Sequence, residues 1–205
     1  MALSQDEQLY DIWENRWKGS QTKERLTLLG KQMYKSKQVI LTKSIKDLGA
    51  KTFLEVGCGL GHTFSVFQEA GLDCSGIDVS PEAVEVCKKK GFPVLQKKVE
   101  DVTEQYDLIF SDGMLEHFLY FEPFVQHFIR ISRNYVMIIQ PNHDSFVGKS
   151  LAFLSELIRG NENIFEYNYR IKDFIEVFER NGCKLLKSEP IFADSFRLLL
   201  FKITG

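Results

Sequence analysis

The sequence is poor in the features that mark specialised classes of protein. It holds four cysteines in 205 residues, Cys58, Cys74, Cys87 and Cys183. Their separations of 16, 13 and 96 match neither a zinc knuckle nor a dense disulfide frame. They read as small buried residues with free thiols. No apolar stretch approaches the roughly 18 residues that span a bilayer, and the start from Met1 to Asp6 has no basic region leading into an apolar one. Both absences predict a cytoplasmic protein without a membrane span. Positive charge is not in excess: 26 Lys and Arg stand against 28 Asp and Glu, a formal charge of -2. No global field is available to collect phosphate backbones, so nucleic acid is not an expected partner.

What is present suits a globular core. Hydrophobic residues make up 44% of the chain, 17 residues are Phe, and 26% are charged, which excludes disorder as a whole-chain description. Against a typical length of about 100 to 200 residues per domain, one domain over 1–205 is expected. Within it, residues 1–49 read as N-terminal helices and 50–205 as the core, with a cap segment at about 144–169.

From Leu3 to about Lys18, the spacing of Leu9, Ile12, Trp13 and Trp17 predicts one face of a short amphipathic helix. A second helix runs from about Thr22 through Leu26, Leu29, Met33, Ile40, Leu41, Ile45 and Leu48 to a stop at Gly49. Beyond it, short strands alternate with helices. Strands are predicted at Thr52 to Val56, Asp73 to Asp78, Pro93 to Gln96, Asp107 to Ser111, Asn134 to Gln140, Lys184 to Pro190 and Ser195 to Ile203. The helices between them lie near Gly61 to Ala70, Pro81 to Lys90, Phe121 to Ser132, Phe146 to Arg159 and Ile171 to Asn181. Such alternation implies an α/β fold, a mostly parallel sheet between two helical layers. The last two strands are joined only through Ala193 and Asp194, so they form a hairpin and the final strand is antiparallel.

The chemistry begins at Phe53-Leu54-Glu55-Val56-Gly57-Cys58-Gly59-Leu60-Gly61-His62. An apolar strand runs into glycines at alternate positions, which let the backbone approach a ligand, and then into a helix that offers its free amides. A dinucleotide fingerprint would place its third glycine at position 62, where this chain has His62. Glu55, two residues before Gly57, would repel a pyrophosphate and suits a ligand with an ammonium group. The arrangement points to S-adenosylmethionine. The second strand ends in Gly76-Ile77-Asp78-Val79-Ser80, where the Asp78 carboxylate can accept hydrogen bonds from ribose hydroxyls and Val79 can lie against adenine. Asp78 could instead cap the next helix, but Ser80 directly before Pro81 suits that task better.

At these residues the sequence resembles the class I S-adenosylmethionine-dependent methyltransferases, over roughly Thr52 to Ile203. The motifs are Leu54 to Gly61, Gly76 to Ser80, and Tyr106-Asp107-Leu108-Ile109-Phe110-Ser111. The resemblance implies a three-layer, Rossmann-like sheet of seven strands with its last strand antiparallel. It implies that Glu55 faces the methionine amino group, Gly57, Cys58, Gly59 and Gly61 the methionine and ribose, and Asp78 the ribose. Val79, Val99 and Glu100 would meet adenine, with Lys98 standing where the family usually has Asp, and Ser111 completes the cofactor set. The triplet Leu115-Glu116-His117 is similar to one in family members that methylate small molecules, ubiquinone-pathway enzymes among them. His117, with an unperturbed pKa of about 6.5, is open to two roles, a base for the acceptor or a structural hydrogen-bonding group. Glu116 with His117 is similar to a metal pair in some quinone-directed relatives, but Gly113 stands where the acidic residue three positions before Glu116 is expected, so no metal is predicted. Tyr10, Trp13 and His143 are the candidate acceptor residues. Asn142 shares that reading with a simple turn at Pro141, and Phe165, Tyr167 and Tyr169 are further aromatics near the expected mouth.

The function these readings support is methyl transfer from S-adenosylmethionine to an O or N nucleophile of a small-molecule acceptor. The rivals are a protein or RNA methyltransferase and a non-catalytic S-adenosylmethionine-binding module.

Overall fold

A computed structural model describes residues 5–20, 28–150 and 166–204. The helices are α1 (Gln5–Ser20), α2 (Leu28–Ile45), α3 (Phe64–Glu69), α4 (Pro81–Lys89), α5 (Glu122–Ile131) and α6 (Ile171–Arg180). The strands are β1 (Thr52–Val56), β2 (Asp73–Asp78), β3 (Val94–Gln96), β4 (Tyr106–Asp112), β5 (Ser132–Pro141), β6 (Cys183–Ile191) and β7 (Phe196–Ile203). They form one seven-stranded sheet in the order β3-β2-β1-β4-β5-β7-β6. β7 pairs antiparallel with both β5 and β6, while the other pairs are parallel. The hairpin turns through Phe192, Ala193 and Asp194, all three at positive φ. Among the described residues no helix is long and apolar enough to cross a membrane, and all four cysteines are buried free thiols.

Strand side chains alternate between two cores. Leu54, Ile109, Ile138 and Phe201 pack with Leu9 of α1, Phe128 of α5 and Phe178 of α6. On the other face Phe53, Phe110, Ile139 and Leu200 pack with Leu41 of α2, Phe67 of α3 and Val84 of α4. Two covered faces explain the near-continuous apolar runs of β4, β5 and β7. Phe53 stacks on Phe67 at 3.9 Å between centroids, and each such fully buried ring contributes about 1.5 to 3 kcal/mol.

Several sequence expectations need adjusting. Ile12, expected on the buried face of α1, is 48% exposed, because the contacts of that helix run along Leu9, Tyr10 and Trp13. The third helix begins at Phe64, not at Gly61, since Gly61 at φ +71° stands in the left-handed region outside any helix. Of the cap expected at about 144–169, residues 146–150 are helical and 151–165, Phe165 included, lie outside the described residues. The helix start expected near Thr22, and Leu26 after it, also lie outside the described residues. Tyr169, expected near a mouth, donates its hydroxyl to Leu119 O at 2.7 Å and packs its ring on Phe121 and Phe174.

Candidate active site

The strand order reverses at β1 and β4, and the loops leaving their carboxyl ends frame a crevice, the usual ligand position in such sheets. The amides of Gly57 and Cys58 both donate to Ile77 O, at 2.9 and 3.2 Å, which pins the glycine loop to β2. The loop encloses a cleft of about 1020 Å³, counting its open mouth. Glu55, Gly57, Cys58, Gly59, Asp78, Val79, Val99 and Glu100 border it, and α1 adds Tyr10, Trp13 and Trp17.

Two glycines of the loop differ in what requires them. A Cβ on Gly59, at φ +50°, would stand 3.0 Å from the Trp17 ring at the cleft wall. A Cβ on Gly61 would stand 2.9 Å from the Phe92 ring and 3.0 Å from Cys87 Sγ. Gly61 does not border the cleft; its small size serves packing beneath the loop.

Glu55 is 3% exposed at the cleft wall. Thr63 Oγ1 donates to its Oε1 at 2.5 Å, and Oε2 has no hydrogen-bond partner. Burial pushes its carboxyl well above the ordinary range; Thr63 pulls it down and nearby Asp112 pushes it up. A buried carboxylate oxygen without a partner calls for a cation. The ammonium of S-adenosylmethionine fits that demand, so the residues present suit the cofactor.

Asp78 is tied to the backbone on both sides. Gly59 N donates to its Oδ2 at 2.8 Å and Ser80 N to its Oδ1 at 2.9 Å, while burial holds its carboxyl above the ordinary range. Each oxygen keeps a lone pair for a further donor. Ser80 caps α4 by accepting from Ala83 N, so the capping task does not fall on Asp78. Glu14 of α1 accepts from Ser80 Oγ, which fastens α1 to the end of β2. The helix expected to border the acceptor therefore also borders the glycine loop, through Trp17.

Three further expected residues stand away from the cleft wall. Ser111 is buried and donates its hydroxyl to Val56 O at 3.0 Å, fastening β4 to the end of β1. His117 lies behind Trp13, edge to face at 5.2 Å, with Nε2 4.0 Å from Glu116 Oε1. His143 lies 3.9 Å from Glu166 Oε2, and Asn142 forms the turn, its Oδ1 accepting from Asp144 N at 3.2 Å.

Sequence reasoning missed Thr63, Trp17, Met114 and Asp112, all at the cleft. Asp112 is engaged through both carboxylate oxygens by Lys37 Nζ, at 2.9 and 2.6 Å, from α2. Its position at the end of β4 was the available signal, since that edge carries ligands in this architecture. Lys98 borders the cleft with its ammonium 5.6 Å from the centre of the Tyr10 ring.

Known proteins share this fold. Residues 29–190 match the family model described as a methyltransferase domain. Ajmaline N-methyltransferase of Rauvolfia serpentina is 30% identical over 105 residues, 45% of this chain and 36% of that protein. Norajmaline N-methyltransferase of the same plant is 33% identical over 97 residues, 40% of this chain and 32% of that protein. The matched regions thus span about a third of those two relatives. Magnesium protoporphyrin IX methyltransferase of Synechocystis PCC 6803, solved with S-adenosylhomocysteine bound, shares the fold with a TM-score of 0.74 at 14% identity, covering 98% of this chain and all of that one. With the family match extending over most of its length, this chain belongs to the class I S-adenosylmethionine-dependent methyltransferases.

Proposed function

We propose that the protein transfers the methyl group of S-adenosylmethionine to a nitrogen or oxygen of a small-molecule acceptor. The observation that carries this reading is the unpartnered Oε2 of Glu55, buried at the wall of a glycine-edged cleft. Bound there, the cofactor supplies a sulfonium methyl that is already electrophilic. Glu55 holds the cofactor's ammonium, and Asp78 accepts from ribose hydroxyls with the lone pairs its backbone bonds leave. Val79 and Val99 offer apolar surface to the adenine. Tyr10, Trp13, Phe118 and Phe124 wall the cleft with aromatic surface, which excludes water and aligns an acceptor. The relatives named for ajmaline and norajmaline N-methylation, at 30% and 33% identity over part of their length, support a small organic acceptor. Four buried free thiols support a reducing compartment, and we place the reaction in the cytoplasm.

The test has two stages. Calorimetry should show S-adenosylhomocysteine binding. Methyl transfer from labelled cofactor should then appear in the low-molecular-weight fraction of a cell extract. Label in protein or RNA alone would replace the small-molecule acceptor with a macromolecule, and binding without any transfer would leave a binding module.

A further inference from the structure

The glycine loop carries a thiol that methyl transfer does not use. Cys58 lies between Gly57 and Gly59, borders the cleft and is 6% exposed. Cys87 of α4 lies beneath the loop, fully buried. Their sulfurs converge on one carbonyl oxygen, Cys87 Sγ at 3.2 Å and Cys58 Sγ at 3.9 Å from Gly59 O. The two thiols also hydrogen-bond to each other. Sulfurs in such contact need only a short movement to reach the S–S bond length of about 2.05 Å.

This pair differs from the other two cysteines. Burial is the chief cause that pushes the Cys74 thiol up to about 12 and the Cys183 thiol up to about 11, so both stay protonated at neutral pH. Cys87 is held below the ordinary thiol value, first by its hydrogen bond with Cys58 and then by the Lys90 ammonium, against the effect of burial. Lys90 is fixed at the loop by donating to Leu60 O at 3.1 Å. The same bond and burial push Cys58 up. The pair as a whole therefore gives up a first proton more readily than Cys74 or Cys183, and the thiolate is the form that reacts with oxidants.

We propose that Cys58 and Cys87 form a reversible oxidation site, closed to a disulfide by hydrogen peroxide, and that closure disables the cofactor cleft. Peroxide enters the empty cleft and meets Cys58, the member of the pair that borders it. The Cys58 sulfur takes one oxygen as the O–O bond breaks, and its proton leaves with the other oxygen as water, which gives a sulfenic acid. The Cys87 sulfur then displaces that hydroxyl, which departs with the second thiol proton as a second water. Two thiols are oxidised to one S–S bond and one peroxide is reduced to two waters. Closure draws Cys58 towards α4. The loop is held by Gly57 N and Cys58 N on Ile77 O and by Gly59 N on Asp78, so this movement disturbs the carboxylate offered to the ribose. That consequence rests on the methyl-transfer reading above; the oxidation itself does not.

Peptide mapping and calorimetry on the full chain test this together. The reduced protein is first titrated with S-adenosylhomocysteine; failure there counts against the cofactor reading, while mapping still decides the thiol site. After hydrogen peroxide, denaturation and iodoacetamide, mass spectrometry of the digest should find Cys58 joined to Cys87, with Cys74 and Cys183 alkylated. Affinity for S-adenosylhomocysteine should fall at least about tenfold, the scale of one hydrogen bond to a charged group, and return with dithiothreitol. Cys87→Ser, whose hydroxyl can still donate to Gly59 O, should bind as the parent does and keep its affinity after peroxide. The absence of a joined Cys58 and Cys87 peptide, random joining among the four cysteines, or a joined pair with unchanged affinity overturns the proposal. A loss of affinity that persists in Cys87→Ser would assign the effect to Cys58 alone and overturn it equally.

Discussion

Thr63 donates its hydroxyl to Glu55 Oε1 from the far end of the glycine loop, so one oxygen of a buried carboxylate is fixed and the other is left unpaired at the cleft. The bond closes the loop on the strand that precedes it. It also orients the acid and favours its ionised form, working against the effect of burial.

Removing that orientation has a measurable consequence. Thr63→Val keeps the volume and deletes the donor, leaving Oε1 buried without its partner. Affinity for S-adenosylhomocysteine should fall by about 1 to 2 kcal/mol. Calorimetry checks this, and an unchanged affinity would show that Glu55 is held by packing alone.

Asp78 joins the glycine loop to the end of β2 through Gly59 N and Ser80 N. Asp78→Ala removes both backbone bonds and the acceptor offered to the ribose. Cofactor affinity should drop by at least about 1.5 to 3 kcal/mol, the range for hydrogen bonds to a charged group. Asp78→Asn, which keeps an acceptor, should lose less, and equal losses in the two variants would point to charge as the deciding property.

The glycines at 59 and 61 separate binding from folding. Gly59→Val places a branched side chain at φ +50° against Trp17, on the cleft wall, and should abolish cofactor binding while the sheet stays folded. Gly61→Ala drives a Cβ into Phe92 and Cys87 beneath the loop, so its first effect should be a lower thermal midpoint. Circular dichroism melts alongside calorimetry distinguish the two. A Gly59→Val protein that binds normally would refute the close-approach argument.

The sequence made the framework legible and left its long-range joints hidden. Thr52 to Val56 and Asp73 to Asp78 were readable as strands because apolar runs end there in Gly57 and in Val79-Ser80-Pro81, and the structure has the same bounds. The hairpin was readable from the brevity of the link between β6 and β7. The order of the sheet was not read, nor was the Lys37 to Asp112 pair, whose members lie 75 residues apart. Helical periodicity identifies an apolar face without naming its partner, which is why Trp17 on Gly59 could not be foreseen. Ser111 was read as ligand-facing, and His117 was left open between a base and a structural group. The Ser111 hydroxyl turns instead to Val56 O and the His117 ring packs on Trp13, a choice made by the pleat of β4 and the turn that follows it.

The raised proton affinity of Glu55 predicts how binding depends on pH. Burial lifts this carboxyl well above its ordinary value of 4.5, so the free protein carries it protonated up to the raised value. An unfolded chain would already have lost that proton. Between the ordinary and raised values the folded state therefore binds more protons than the unfolded one, and Glu55's contribution to stability is lost as pH rises through this window. The cofactor's ammonium requires the ionised carboxylate, so binding below the raised value releases a proton. Affinity for S-adenosylhomocysteine should climb with pH by up to about tenfold per unit, then level off once Glu55 is ionised in the free protein. Calorimetry in buffers of different ionisation enthalpy should register the released proton on the rising limb and none on the plateau. Glu55→Gln should bind weakly at every pH, lose the rising limb and the proton release, and retain its thermal stability on the alkaline side better than the parent. A limb that survives in Glu55→Gln would assign the titration to another group.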